Sequence, residues 1–87
     1  MSYDTKKVIS LQIRAARGLL GWSGQDLAHA SGVGLSTLRR LESGSGSVQT
    51  NVSTVVALAA ALEQAGIEFT GDPQVNPGVV LHLKSSE

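Results

Sequence analysis

The chain has 87 residues, 41% of them apolar, no cysteine and a formal net charge of zero. That length holds one small domain, the missing cysteine excludes disulfides and thiolate metal sites, and no apolar run approaches the roughly 18 residues of a membrane span. The zero net charge hides an asymmetry: residues 1–43 carry six basic and three acidic side chains, residues 44–87 one basic and four acidic.

At the N-terminus the first apolar stretch is short and interrupted by charge, so no signal peptide is legible and the chain reads as cytoplasmic. Lys6 and Lys7 are either a basic arm or part of an unstructured terminus. The first helix is predicted in SLQIRAARGLLG, where Leu11, Ile13, Ala16, Leu19 and Leu20 recur at helical spacing and Gly21 follows as a C-terminal cap. Asp4, Thr5 or Ser10 can each cap its start. Ser23 stands three residues before Asp26, the spacing of a capping box, and Trp22 stands where a hydrophobic staple would. A second helix therefore begins near Gly24 and ends near Ser31–Gly32.

The third helix is predicted from Leu35 to Glu42, and SGSGS (43–47) reads as a loop without the GK[ST] of a phosphate loop. Asn51 is a candidate cap for a fourth helix, Val52 to Ala65, closed by Gly66. That helix is apolar around most of its circumference, so much of it is expected to be buried. IEFT (67–70) and VVLHLK (79–84) alternate apolar and polar residues, with a Pro-containing loop between them, and predict two short strands forming a hairpin.

The second and third helices carry the functional signal. Leu27, Ala28, Gly32, Val33, Leu38 and Leu41 meet the demands of a helix-turn-helix: a small residue where helices approach, a glycine at the tight turn, and two leucines anchoring the next helix. With Leu38 and Leu41 buried, a helical wheel places Ser36, Arg39 and Arg40 on the opposite side and Leu35 at one edge. Such a motif inserts this helix into a DNA major groove, where arginine's planar fork bonds guanine or clamps phosphate. Arg14 is either a phosphate contact or a solvated residue. His29 and His82 are isolated, so no metal is expected, and no catalytic set or cofactor pocket is legible. The chain is read as a non-enzyme.

Residues 11–43, LQIRAARGLLGWSGQDLAHASGVGLSTLRRLES, resemble the Xre/Cro–repressor family of helix-turn-helix regulators, in particular small bacterial members. ALEQAGIEFT resembles the end of that family's fourth helix and the strand after it. The resemblance implies a mainly α fold: a four-helix repressor-like domain (10–66) after an N-terminal arm or helix start (1–9), with a short C-terminal β-hairpin or strand pair (67–87). It also implies double-stranded DNA as partner, a homodimer on an inverted repeat, and repression. By family position, Gly34, Leu35, Ser36, Arg39 and Arg40 are the base-facing residues, and Arg17 and Glu42 form a structural ion pair. Gly24, followed by Gln25, stands where the family usually has a phosphate-holding glutamine, and Gly34 stands where it usually has Ser or Thr.

The helix-turn-helix offers no obvious apolar patch to a second copy. The tail does, so Ile67, Phe69, Val79, Leu81 and Leu83 are the expected dimer contacts, through symmetric strand pairing. The rival reading is a protein-interaction module, antiactivator or antitoxin-like, that binds a second protein such as a transcription factor through the acidic half.

Overall fold

A computed structural model describes residues 10–43, 52–72 and 74–83. Four helices precede a two-stranded sheet: α1 (Ser10–Leu20), α2 (Gly24–Ser31), α3 (Leu35–Glu42), α4 (Val52–Gln64), β1 (Ile67–Thr70) and β2 (Gly78–Leu81). The mainly α architecture with a C-terminal hairpin is the one expected. The candidate caps Asp4, Thr5 and Asn51, the Lys6–Lys7 pair, Lys84 and most of the SGSGS loop lie outside the described residues.

Local chemistry sets the α1–α2–α3 path. Gly21 takes φ 70 after α1. Ser23 then caps α2: its Oγ accepts the Asp26 N–H at 3.0 Å while Asp26 Oδ2 accepts the Ser23 N–H at 2.9 Å. The helix ends at Gly32, whose φ of 78 lies in the left-handed region that side chains with a Cβ rarely adopt, and whose N–H bonds Ala28 O at 2.9 Å. Gly34, extended and without a side-chain hydrogen bond, leads into α3.

The core is built from one face of each helix: Ile13 and Ala16 from α1, Leu27 from α2, Leu38 from α3, Leu58, Ala61 and Leu62 from α4, joined by Ile67 of β1. Trp22, Ala28, Val33 and Leu41 pack around it. The strands are antiparallel, pairing Ile67 with Leu81 and Phe69 with Val79. Because side chains alternate along a strand, these four share the inward face, while Glu68 and Val80 pair on the outward one. Beneath the sheet, β2 lies against α1 and β1 against α4.

The structure departs from the sequence reading at four places. On α1, Leu11 and Leu19 are turned outward, 61% and 48% exposed, and the residue turned inward is Gln12, 5% exposed. The Gln12 side chain reaches the hairpin, where its Nε2 donates to Gly78 O at 3.0 Å and to Thr70 O at 3.3 Å. Buried carbonyls need such a donor, which is why a polar side chain takes a core position. On α4, Leu58, Ala59, Ala61 and Leu62 are buried but Val52 and Val56 are exposed, so the apolar helix has one buried side only. That helix ends one residue early, at Gln64, with Ala65 in a turn.

The second strand stops at Leu81 rather than running to Lys84. In the observed register Leu83 would face Ala65, which is committed to closing α4 through its N–H to Ala61 O and Leu62 O. Leu83 is therefore left 83% exposed.

Candidate nucleic-acid interface

The candidate interface is the outer side of α3 with the start of α2. Leu38 is fully buried and Leu41 half-buried, which fixes the helix's inner face. Ser36, Arg39 and Arg40 are exposed on the other side, as is Gly34 before them, and Leu35 is half-buried at the edge. No acidic residue shares that outer face. Glu42, which ends the helix, is half-buried and engaged elsewhere.

That engagement orients the helix. The Arg17 guanidinium makes a bidentate pair with Glu42, Nε to Oε2 and Nη2 to Oε1, both at 2.8 Å, and its Nη1 donates to Trp22 O at 3.0 Å. One side chain thus ties the last turn of α1 to the residue before the α2 cap and to the end of α3. The hydrogen bond that Arg17 donates to Glu42 holds the Arg17 pKa above its ordinary value, against the opposing effect of burial and with help from the Glu42 charge. Arg17 is committed to this pair. Among the described residues, Arg14, Arg39 and Arg40 are the exposed arginines.

At the start of α2, Gln25 is exposed and Gly24 half-buried. Their amides stand in the first turn, which has no intrahelical acceptor for them, so they are available to a phosphate. A Cβ at Gly24 would lie 3.6 Å from Leu35 Cδ1, an ordinary contact, so packing does not impose glycine there.

The five tail residues fall into two sets. Ile67 is buried, and Phe69, Val79 and Leu81 are half-buried against the chain's own core, so the apolar face expected to meet a second copy is partly covered by the chain itself. Leu83 alone of the five stands free of that core, beyond the end of β2.

Two features escaped sequence reasoning. Gln12 is one, since an isolated glutamine beside leucines carries no signal of its role. The other is an exposed pair between His82 Nε2 and Glu68 Oε1 at 2.7 Å, visible only once the register puts the two strands together. Among the described residues no group of three metal-ligating side chains occurs and no helix is long and apolar enough to cross a membrane.

The helix-turn-helix family model HTH_3 matches residues 13–66, the span from α1 through the end of α4. The chain belongs to the Xre/Cro-type helix-turn-helix family. Comparison with curated proteins and with solved structures returns no match. Family membership makes the protein a DNA-binding regulator in general terms, in a family that is not normally enzymatic.

Proposed function

We propose that this helix-turn-helix protein is a cytoplasmic, sequence-specific repressor that binds an inverted-repeat operator as a homodimer. The observation that carries the reading is the outer face of α3, where Ser36, Arg39 and Arg40 are exposed on a helix held by buried Leu38 and by the Arg17–Glu42 pair. Arg39 and Arg40 supply the cationic contacts, Gly34, Leu35 and Ser36 lie along the base edges, and the amides of Gly24 and Gln25 meet a phosphate. Arg40→Ala is expected to weaken operator binding by about 1–3 kcal/mol, the worth of a bidentate guanine contact, and to leave the melting temperature unchanged. Titration of labelled duplex from the region upstream of the gene checks this. Wild-type affinity in the Arg39→Ala/Arg40→Ala double variant would remove the assignment.

The homodimer reading rests on size and on the hairpin. One domain this small has a small footprint, so two half-sites give specific affinity more readily than one. Because Ile67, Phe69, Val79 and Leu81 support their own core, the surface they leave for a second copy is the outward face of the hairpin, with exposed Val80 and Leu83. A second reading, docking of another protein on the C-terminal half, draws on the exposed Glu63, Glu68 and Asp72 of that half. Retention of such a partner by the double arginine variant would favour it.

A further inference from the structure

The reading face of α3 is not uniformly polar. Its first residue, Leu35, is a large aliphatic side chain, half-buried at the edge that also carries Arg39 one turn later. The partly buried apolar residues that pack against the core are Leu20, Trp22, Ala28, Val33, Leu41, Phe69, Val79 and Leu81, and Leu35 is not one of them. Its Cδ1 instead leans over Gly24, at the start of α2, where there is no side chain to cover it. An aliphatic group is thus held at the leading end of the recognition helix, between two stretches that would bracket the DNA backbone and the bases. Gly34 before it has no side chain and makes no side-chain capping hydrogen bond, so it adds no cover to Leu35 from the N-terminal side of the helix.

In the major groove one feature suits such a group. Base edges there are hydrogen-bond donors and acceptors, and burying an aliphatic side chain against them unpaired is costly; the C5-methyl group of thymine is the apolar exception, and 5-methylcytosine presents the same group. We propose that Leu35 reads a pyrimidine C5-methyl group, so that each half-site carries a methylated pyrimidine at the position facing the start of α3, next to the base pairs met by Arg39 and Arg40. The inference rests on the reading of α3 as the major-groove helix and deepens it: the arginines select by hydrogen bonds, Leu35 by a methyl group.

The test uses the full chain and selection of duplexes from two random pools, one with ordinary cytosine and one with 5-methylcytosine throughout. A thymine required in both pools identifies thymine as the source, and a cytosine enriched only in the second identifies 5-methylcytosine. The methyl is then removed, one position at a time, by deoxyuridine for thymine or cytosine for 5-methylcytosine. The expected result is one position per half-site at which methyl removal weakens wild-type binding about four-fold, the worth of one buried methyl-sized group. Leu35→Ala is expected to bind the methylated site about as weakly as wild type binds the stripped one, and to ignore the methyl. Methyl removal without effect at every position overturns the proposal, and so does discrimination that survives in Leu35→Ala. Neither result touches the DNA-reading assignment if binding still depends on Arg40. Selection of no duplex at all removes that assignment and this inference with it. The methyl-removal arm uses wild-type protein, so it stands even if Leu35→Ala folds poorly.

Discussion

A carboxylate at the C-terminal end of a helix faces the negative end of the helix dipole, so Glu42 closing α3 is unfavourable unless something offsets it. Arg17 does so, with two hydrogen bonds at 2.8 Å and a third to Trp22 O. The side chains are only 21% and 11% exposed, which puts the pair nearer the buried class than the surface class. Losing the carboxylate leaves a half-buried guanidinium with one acceptor. Glu42→Ala is therefore expected to destabilise the fold by about 2–3 kcal/mol, between the values for exposed and fully buried pairs, lowering the melting temperature by about 8–24 °C. Glu42→Gln, which keeps the volume and one acceptor, should lose less. Thermal denaturation of both variants checks this, and an unchanged melting temperature would mean that the pair carries no net stability. The pairing was legible because the family resemblance names both positions. Gln12 was not legible, because its two acceptors are backbone carbonyls more than fifty residues away and backbone carbonyls leave no mark in a sequence.

Among the elements, two glycines show how the same substitution takes opposite signs. Gly32 ends α2 at φ 78, and its N–H closes the turn on Ala28 O. A Cβ there meets no atom within 4 Å, so the obstacle to alanine is backbone conformation alone. Gly32→Ala is expected to cost about 1–2 kcal/mol, the left-handed penalty for an L residue. Gly18 lies inside α1, exposed, with no atom within 4 Å of an added Cβ and no positive φ. Gly18→Ala should stabilise the domain by about 0.8–1 kcal/mol through helix propensity. Denaturant midpoints for the two variants, moving in opposite directions, are the check. The elements themselves were largely legible, since caps, turns and the helix-turn-helix spacing are local. What failed was facing and length. The valines of α4 read as core because apolar character was counted without knowing how few elements exist to cover them, and β2 read as too long because its partner's length is a property of the pairing.

On the scale of the whole molecule, the constraint on DNA binding is how little charge the protein has to spend. Seven basic side chains balance seven acidic ones, and one of the seven, Arg17, is tied up in the pair with Glu42. The described domain offers Arg14, Arg39 and Arg40 to phosphates and bases. Each phosphate neutralised contributes about −0.9 to the slope of log K against log salt, so with Arg40 on a guanine, phosphate contacts by Arg14 and Arg39 give a slope of about −1.8 for one protomer and about −3.6 for a dimer. A neutral chain gains little from long-range attraction, and the segregation of positive charge into the first half is what lets it approach DNA at all. Doubling the module is the way to gain affinity without more charge, and the reading helices of a dimer should lie about 34 Å apart or a multiple of it. Truncation of the tail is a poor test of that dimer, because β2 carries Val79 and Leu81 onto the core and presents Gly78 O to Gln12. Charge placed on the outer residues is a cleaner one. Val80→Glu with Leu83→Glu alters side chains 42% and 83% exposed and should leave the monomer folded. The expected outcome is a wild-type dimer in sedimentation with a salt slope of about −3.6, and a folded variant monomer with a slope of about −1.8 and much weaker operator binding. A variant that stays dimeric would move the contact away from the hairpin, and a wild-type slope of about −1.8 would mean that one protomer reads the site alone.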